Sequence, residues 1–172
     1  MLEPLHLNAS DQARQERYEL VLSAVAQLID GEDWISAMAT VCCELHHAFA
    51  FYHWTGFYRQ VQPGQLAVGP YQGGHGCLRI PFTRGVCGAA AREAKTQLVA
   101  DVHAFADHIA CSSTTQSEIV VPILTPSNKV LAVLDVDSDD PAAFNEVDQQ
   151  ALERLAQQLG AMYAHELIEG AQ

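Results

Sequence analysis

The chain has 172 residues, 49% apolar and 17% charged, with a formal net charge of −12. That length fits one domain with a real core, and the acidic balance argues against a phosphate backbone as partner. No apolar run approaches the roughly 18 residues of a membrane-spanning helix, and MLEPLHLNASDQARQERYEL lacks the basic and apolar regions of a signal peptide, so a cytoplasmic protein without membrane contact is expected.

Residues 1–14 read as a loose arm and residues 15–168 as a single domain. From Tyr18, apolar residues at Val21, Leu22, Val25, Leu28 and Ile29 follow helical spacing, which Asp30-Gly31 ends. Asp33 is placed to cap a second helix with a buried face of Ile35, Met38, Cys42, Leu45 and Phe49. The period then changes. FYHWTGFYRQV reads as a strand with Trp54 and Tyr58 on one face, Pro63-Gly64 as a turn, and QLAVGPY as the returning strand. QGGHG is a mobile loop, CLRIPF a short strand, GVCGAAAREAK a turn into a short helix, and QLVAD another short strand. Val102 to Ser117 has no period and is polar, the pattern of a functional loop. EIVVPIL and KVLAVLDVDS form a hairpin across TPSN. Asn145 caps a closing helix with its stripe at Val147, Ala151, Leu152, Leu155, Leu159 and Met162. This order predicts an α+β fold, with helices packed on an antiparallel sheet.

Within KVLAVLDVDS, period two puts Val130, Ala132, Leu134 and Val136 on a core face, and Leu131, Val133, Asp135 and Asp137 on the other. Acids two residues apart on a strand lie about 6–7 Å apart at the backbone, and their repulsion favours keeping one protonated. A solvated strand end running into the turn SDDPAAF is the plainer reading of the pair on its own. Glu118 opens the neighbouring strand, but spacing alone does not bring it to the pair. Trp54 and Tyr58 suit either the core or the wall of an apolar pocket.

Five cysteines, Cys42, Cys43, Cys77, Cys87 and Cys111, match neither a secreted disulfide scaffold nor paired zinc knuckles. Cys42 belongs to an apolar helix face, and the Cys42/His46 and Cys43/His47 pairs find no further ligand pair, so no metal is expected. Cys77, Cys87 and Cys111 lie in or beside loops. Cys87 is near a helix N-terminus, where the dipole would favour thiolate. From the residues alone, any of the three suits either a reactive or a buried structural thiol.

HWTGFY, GPYQGGHGCLRIPFTRGVCG, DVHAFADHIACSSTTQSEIVVPI and VLAVLDVDS together resemble the free methionine-(R)-sulfoxide reductases, which are GAF-domain enzymes. The resemblance covers about residues 50–150 closely and the flanking helices in order and length. It implies a GAF-like fold and thiol-dependent reduction of free methionine (R)-sulfoxide, with thioredoxin as reductant and no metal or organic cofactor. It also implies roles: Cys111 as nucleophile, Cys77 as principal resolving cysteine, Cys87 as a secondary thiol, Glu118, Asp135 and Asp137 as pocket carboxylates, and Trp54 and Tyr58 as the aromatic wall. Departures are small: Val136 stands where Ile is common, TPSN is slightly longer than usual, and Cys42 and Cys43 lie outside the pattern. A homodimer is expected on the same ground. The main alternative is a GAF sensor that binds a small molecule without catalysis. A peroxide-reducing thiol protein would use the cysteines without needing the carboxylates.

Overall fold

The computed structural model describes residues 3–109 and 111–167. Helix α1 (Asp11–Leu28) begins where Ser10 accepts a hydrogen bond from the Ala13 amide, a standard N-cap. The segment expected to be loose up to residue 14 is therefore tied down. Leu5 bridges to Phe49, and Arg14, inside the helix, is 5% exposed. Helix α2 (Trp34–Ala48) is capped by Asp33, whose side chain accepts from Ile35 and Ser36. Its buried face is Trp34, Ala37, Met38, Val41, Cys42 and Leu45. Ile35, expected inside, is 49% exposed, because Trp34 takes the inward position one residue earlier. Leu28 and Met162, also assigned to buried stripes, are exposed at the ends of their helices.

The strands are β1 (Trp54–Gln62), β2 (Gln65–Gln72), β3 (Arg79–Pro81), β4 (Gln97–Val99), β5 (Ser117–Leu124) and β6 (Val130–Ser138). They form one antiparallel sheet in the order β3-β2-β1-β6-β5-β4. Helix α3 (Gly85–Glu93) connects β3 to β4, and α4 (Glu146–Met162) closes the domain. Asn145 and Asp148 form a capping box at the start of α4.

Two apolar clusters separate the faces of the sheet. Helices α1, α2 and α4 pack on Phe57, Ile119, Val121, Ile123, Leu134 and Val136. Each fully buried side chain of this size contributes about 1.5–3 kcal/mol, so this side carries the stability. The opposite face holds a smaller cluster of Trp54, Tyr58, Ile80, Val86, Cys87, Val120 and Val133 under α3.

The expected alternation of β6 holds only from Ala132 onward. Ile123 pairs with Ala132 and Leu124 with Val130, leaving Leu131 as the extra residue of a bulge. Leu131 consequently joins the main core, and Val130 packs with the smaller cluster. Beyond the bulge, Asp135 and Asp137 stay on the smaller-cluster face.

Candidate functional site

Strand register assembles the site. Trp54 pairs with Asp137, and Asp137 with Glu118, so an aromatic and two acids form one row across β1, β6 and β5. The next row is Gly56, Asp135 and Val120. Residues directly opposite on one face stand about 5 Å apart, so pairing supplies the third carboxyl that sequence spacing left open. Gly56 has a steric role: a Cβ there would collide with the Trp54 ring. The ring can lie across this row only because position 56 has no side chain. It stacks on Tyr58 at 5.7 Å and on Tyr71 at 5.4 Å, and its Nε1 donates to the Gly74 carbonyl at 3.1 Å. The Gly-rich loop before Cys77 is thereby held over the tryptophan.

A cavity of about 40 Å³ lies under that loop, lined by Trp54, Tyr58, Cys87, His108, Cys111, Glu118, Asp135 and Asp137 among others. Trp54 and Tyr58 therefore belong both to the smaller core and to the cavity wall. Cys77 and Cys111 are joined by a disulfide with Cα atoms 5.3 Å apart, which links the Gly-rich loop to the long loop across the cavity. Cys42, Cys43 and Cys87 are free thiols. Cys42 is buried, with its thiol donating to the Pro70 carbonyl at 3.3 Å, and Cys43 Sγ lies 3.9 Å from His47 Nδ1 on an exposed helix face.

The floor is electrostatically unusual. Glu118 and Asp135 are each 5% exposed. Burial pushes the carboxyls of Glu118, Asp135 and Asp137 well above the usual range. Mutual repulsion adds to this, from Asp137 on Glu118, from Glu118 on Asp135, and from Asp135 and Asp139 on Asp137. No Lys or Arg is among the described residues that line the cavity. Cys87 Sγ donates to Asp135 Oδ2 at 3.2 Å, while Asp135 Oδ1 is buried without a partner among the described residues.

The helix-dipole expectation for Cys87 is overturned. It lies in the first turn of α3, yet burial and the adjacent Asp135 raise its thiol well above the ordinary value. Desolvation and like charge outweigh the dipole, so Cys87 is a protonated donor. Donor atoms of Cys87, Glu118 and Asp135 lie within 4.8 Å of one another, a set that could hold a metal ion.

Sequence reading missed His108 and Tyr71. His108 Nε2 stands 3.6 Å from Glu118 Oε2. Its signal is present in the HIAC motif, but a loop without period does not show which side chains turn inward.

Residues 13–162 match the GAF domain family. The chain is 38% identical over 159 residues to the free methionine-R-sulfoxide reductase of Saccharomyces cerevisiae, covering 88% of each chain. It is 38% identical over 138 residues to the enzyme of the same name from Escherichia coli, covering 80% of this chain and 82% of that one. The X-ray structure of free methionine-R-sulfoxide reductase from Neisseria meningitidis in complex with its substrate superposes with a TM-score of 0.77 at 41% identity, over 92% of this chain and 94% of the other. On this family match, these identities and this superposition, the chain belongs to the GAF-domain family and, within it, to the free methionine-R-sulfoxide reductases, a group of oxidoreductases.

Proposed function

We propose that this chain reduces free methionine-(R)-sulfoxide to methionine in the cytoplasm, with Cys111 as nucleophile, Cys77 as resolving thiol and thioredoxin as the dithiol reductant. The observation that carries the reading is a disulfide between two loop cysteines at a pocket whose floor is three carboxyls with raised proton affinity.

A sulfoxide sulfur becomes a good electrophile when its oxygen is protonated or strongly hydrogen-bonded, and a positioned acid typically contributes about 10²–10⁴-fold. Glu118, Asp135 and Asp137 suit that task because their burial keeps protons available near neutrality. A carboxyl that does ionise can receive the substrate ammonium, and Asp135 Oδ1, without a partner among the described residues, is an acceptor for it. Trp54 and Tyr58 offer an apolar wall to the S-methyl group. Cys111 attacks sulfur, methionine leaves, and Cys111 becomes a sulfenic acid. Cys77 then attacks that sulfur, water leaves, and the disulfide forms. A reduced dithiol breaks it by exchange. The cavity left in the disulfide form, about 40 Å³, has room for a few waters and none for an amino acid. Substrate entry therefore follows reduction and movement of the Cys77 loop away from Cys111. Cys87 serves as hydrogen-bond donor to Asp135.

The test follows methionine release from reduced protein mixed with free methionine-(R)-sulfoxide, first in one turnover and then with a thioredoxin recycling system. Cys111→Ser should release none. Cys77→Ser should complete one turnover and fail to cycle. A Cys111→Ser protein with wild-type single-turnover rate would remove Cys111 from the mechanism, and wild-type protein that releases no methionine would leave a binding module only.

A further inference from the structure

The loop that carries Cys111 also brings His108 to the cavity, and its backbone is fixed where it does so. Asp107 has φ +58°, a left-handed conformation that a non-glycine residue adopts at a cost and that concentrates in functional loops. Its carbonyl accepts from the Gly85 amide at 3.1 Å, which ties the loop to the start of α3. On the other side of His108, Ile109 packs so closely on Gly85 (φ +71°) that a Cβ there would lie 3.1 Å from it. The His108 amide itself donates to the Phe105 carbonyl at 3.3 Å. Both neighbours of His108 are thus anchored, and its half-buried ring is left with Nε2 3.6 Å from Glu118 Oε2. That separation is just beyond a hydrogen bond, and catalytic hydrogen bonds often tighten only when substrate is bound.

The chemistry needs a group at this place. A thiol must lose its proton as it attacks, and a buried acid that has spent its proton must regain one. Facing the cavity are Tyr58 of β1, His75 of the β2–β3 loop, Cys87 of α3, Glu118 of β5, and Asp135 and Asp137 of β6. Burial holds the tyrosine, the thiol and the carboxyls in their protonated forms. His75 is exposed. Burial acts oppositely on His108, favouring its unprotonated form, so it is the group in contact with the acid cluster that is ready to accept a proton.

We propose that His108 is the proton relay of this site, taking the Cys111 thiol proton as the sulfur attacks and passing it to the Glu118 carboxylate that has just protonated the sulfoxide oxygen. The inference rests on the reductase reading above. In this half-reaction the Cys111 S–H bond and the substrate S–O bond break, and a Cys111 S–O bond forms. The transferred oxygen carries the Glu118 proton, and His108 returns the thiol proton to Glu118. The substrate sulfur is reduced by two electrons and Cys111 is oxidised by two, with no net uptake or release of protons. His108 and Cys111 are three positions apart along the chain, so their Cα atoms lie at most about 10 Å apart, and both residues line the same cavity.

Single-turnover methionine formation by reduced wild-type protein, His108→Gln and His108→Ala is compared from about pH 5 to about pH 8, with melting temperatures measured alongside. Glutamine keeps polarity and reach but cannot relay a proton. Both variants should react about 10²-fold more slowly while remaining folded. A base works only when unprotonated, so the wild-type rate should fall on the acid side, below the ordinary histidine range, and that limb should vanish in His108→Gln. Added imidazole should restore His108→Ala in part. Wild-type rates in both variants would overturn the relay, as would a loss that leaves the pH profile unchanged and does not respond to imidazole. Should wild-type protein itself form no methionine, the reductase reading falls and takes the relay with it, an outcome distinct from failure of the histidine variants alone.

Discussion

Two groups of buried acids lie on opposite faces of the same sheet, and they are built in opposite ways. Asp148, fully buried at the start of α4, accepts from Arg14 Nη1 at 2.6 Å, from the Tyr18 hydroxyl at 2.8 Å and from the Asn145 amide at 2.8 Å. Arg14 is itself engaged by the Leu7 and Ala143 carbonyls, and its guanidinium lies 4.6 Å over the Phe51 ring. Among the described residues, the Glu118/Asp135/Asp137 group has no such cation. The Cys87 thiol donates to it, the His108 ring stands 3.6 Å from Glu118, and one oxygen of Asp135 has no partner among the described residues. Asp148 is buried with a cation and two neutral donors around it, which ties the N-terminal segment, α1 and α4 together, although burial still raises its proton affinity and Arg14 Nε has no partner among the described residues. Acids buried without compensation detract from stability, and they persist where a partner from outside completes them.

The sharpest way to break this comparison is to remove the cation from the complete site. Arg14→Met keeps most of the packing and leaves Asp148 buried and unpaired, which should cost about 3–5 kcal/mol in urea denaturation. Arg14→Met combined with Asp148→Asn should recover part of that loss. A single-variant loss under about 1 kcal/mol, the range of an exposed pair, would show that Asp148 needs no cation and that the two sites do not differ in kind.

The contrast is only partly legible in the sequence. Helix caps at Asp33 and Asn145 are, because a cap is a local event between residues two or three apart. Arg14 is not, since its partner is 134 positions away and nothing local distinguishes a buried arginine from a solvated one. Asp135 and Asp137 show their shared face through period two. That Glu118 stands opposite Asp137 depends on the pairing of β5 with β6, which a bulge at Leu131 shifts by one residue. Alternation predicts faces within a strand and says nothing about such a shift. Cys111 and Cys77 stand out from the other cysteines through resemblance to a family. The contact between His108 and Glu118 is a property of loop geometry and emerges only in three dimensions.

A second prediction separates stability from activity at the incomplete site. Glu118→Gln and Asp135→Asn preserve shape and hydrogen-bonding capacity but have no acidic proton to give. Each should lower single-turnover methionine formation by about 10²-fold or more, while urea midpoints stay equal to wild type or rise. Destabilisation comparable to that of Arg14→Met, with activity retained, would assign these acids to the scaffold and erase the functional half of the contrast.

The smallest expected effect is also the most diagnostic of the electrostatics. Glu118 binds its proton more tightly in the folded protein than in the unfolded chain, because burial and Asp137 raise its proton affinity. Below the unfolded carboxylate value of about 4.3 the group is protonated in both states and costs nothing. As pH rises above that value the unfolded state sheds its proton first, so the folded state becomes relatively less stable until its own raised value is passed. Glu118→Gln removes this liability. Its stability relative to wild type should therefore grow as pH climbs from about 4 toward neutrality, by about 1.4 kcal/mol for each tenfold difference in proton affinity between the folded and unfolded states. Urea midpoints of the two proteins at acid and neutral pH give the measurement. A constant difference across that range would mean that Glu118 titrates alike in both states, and that the cluster is solvated in spite of its burial.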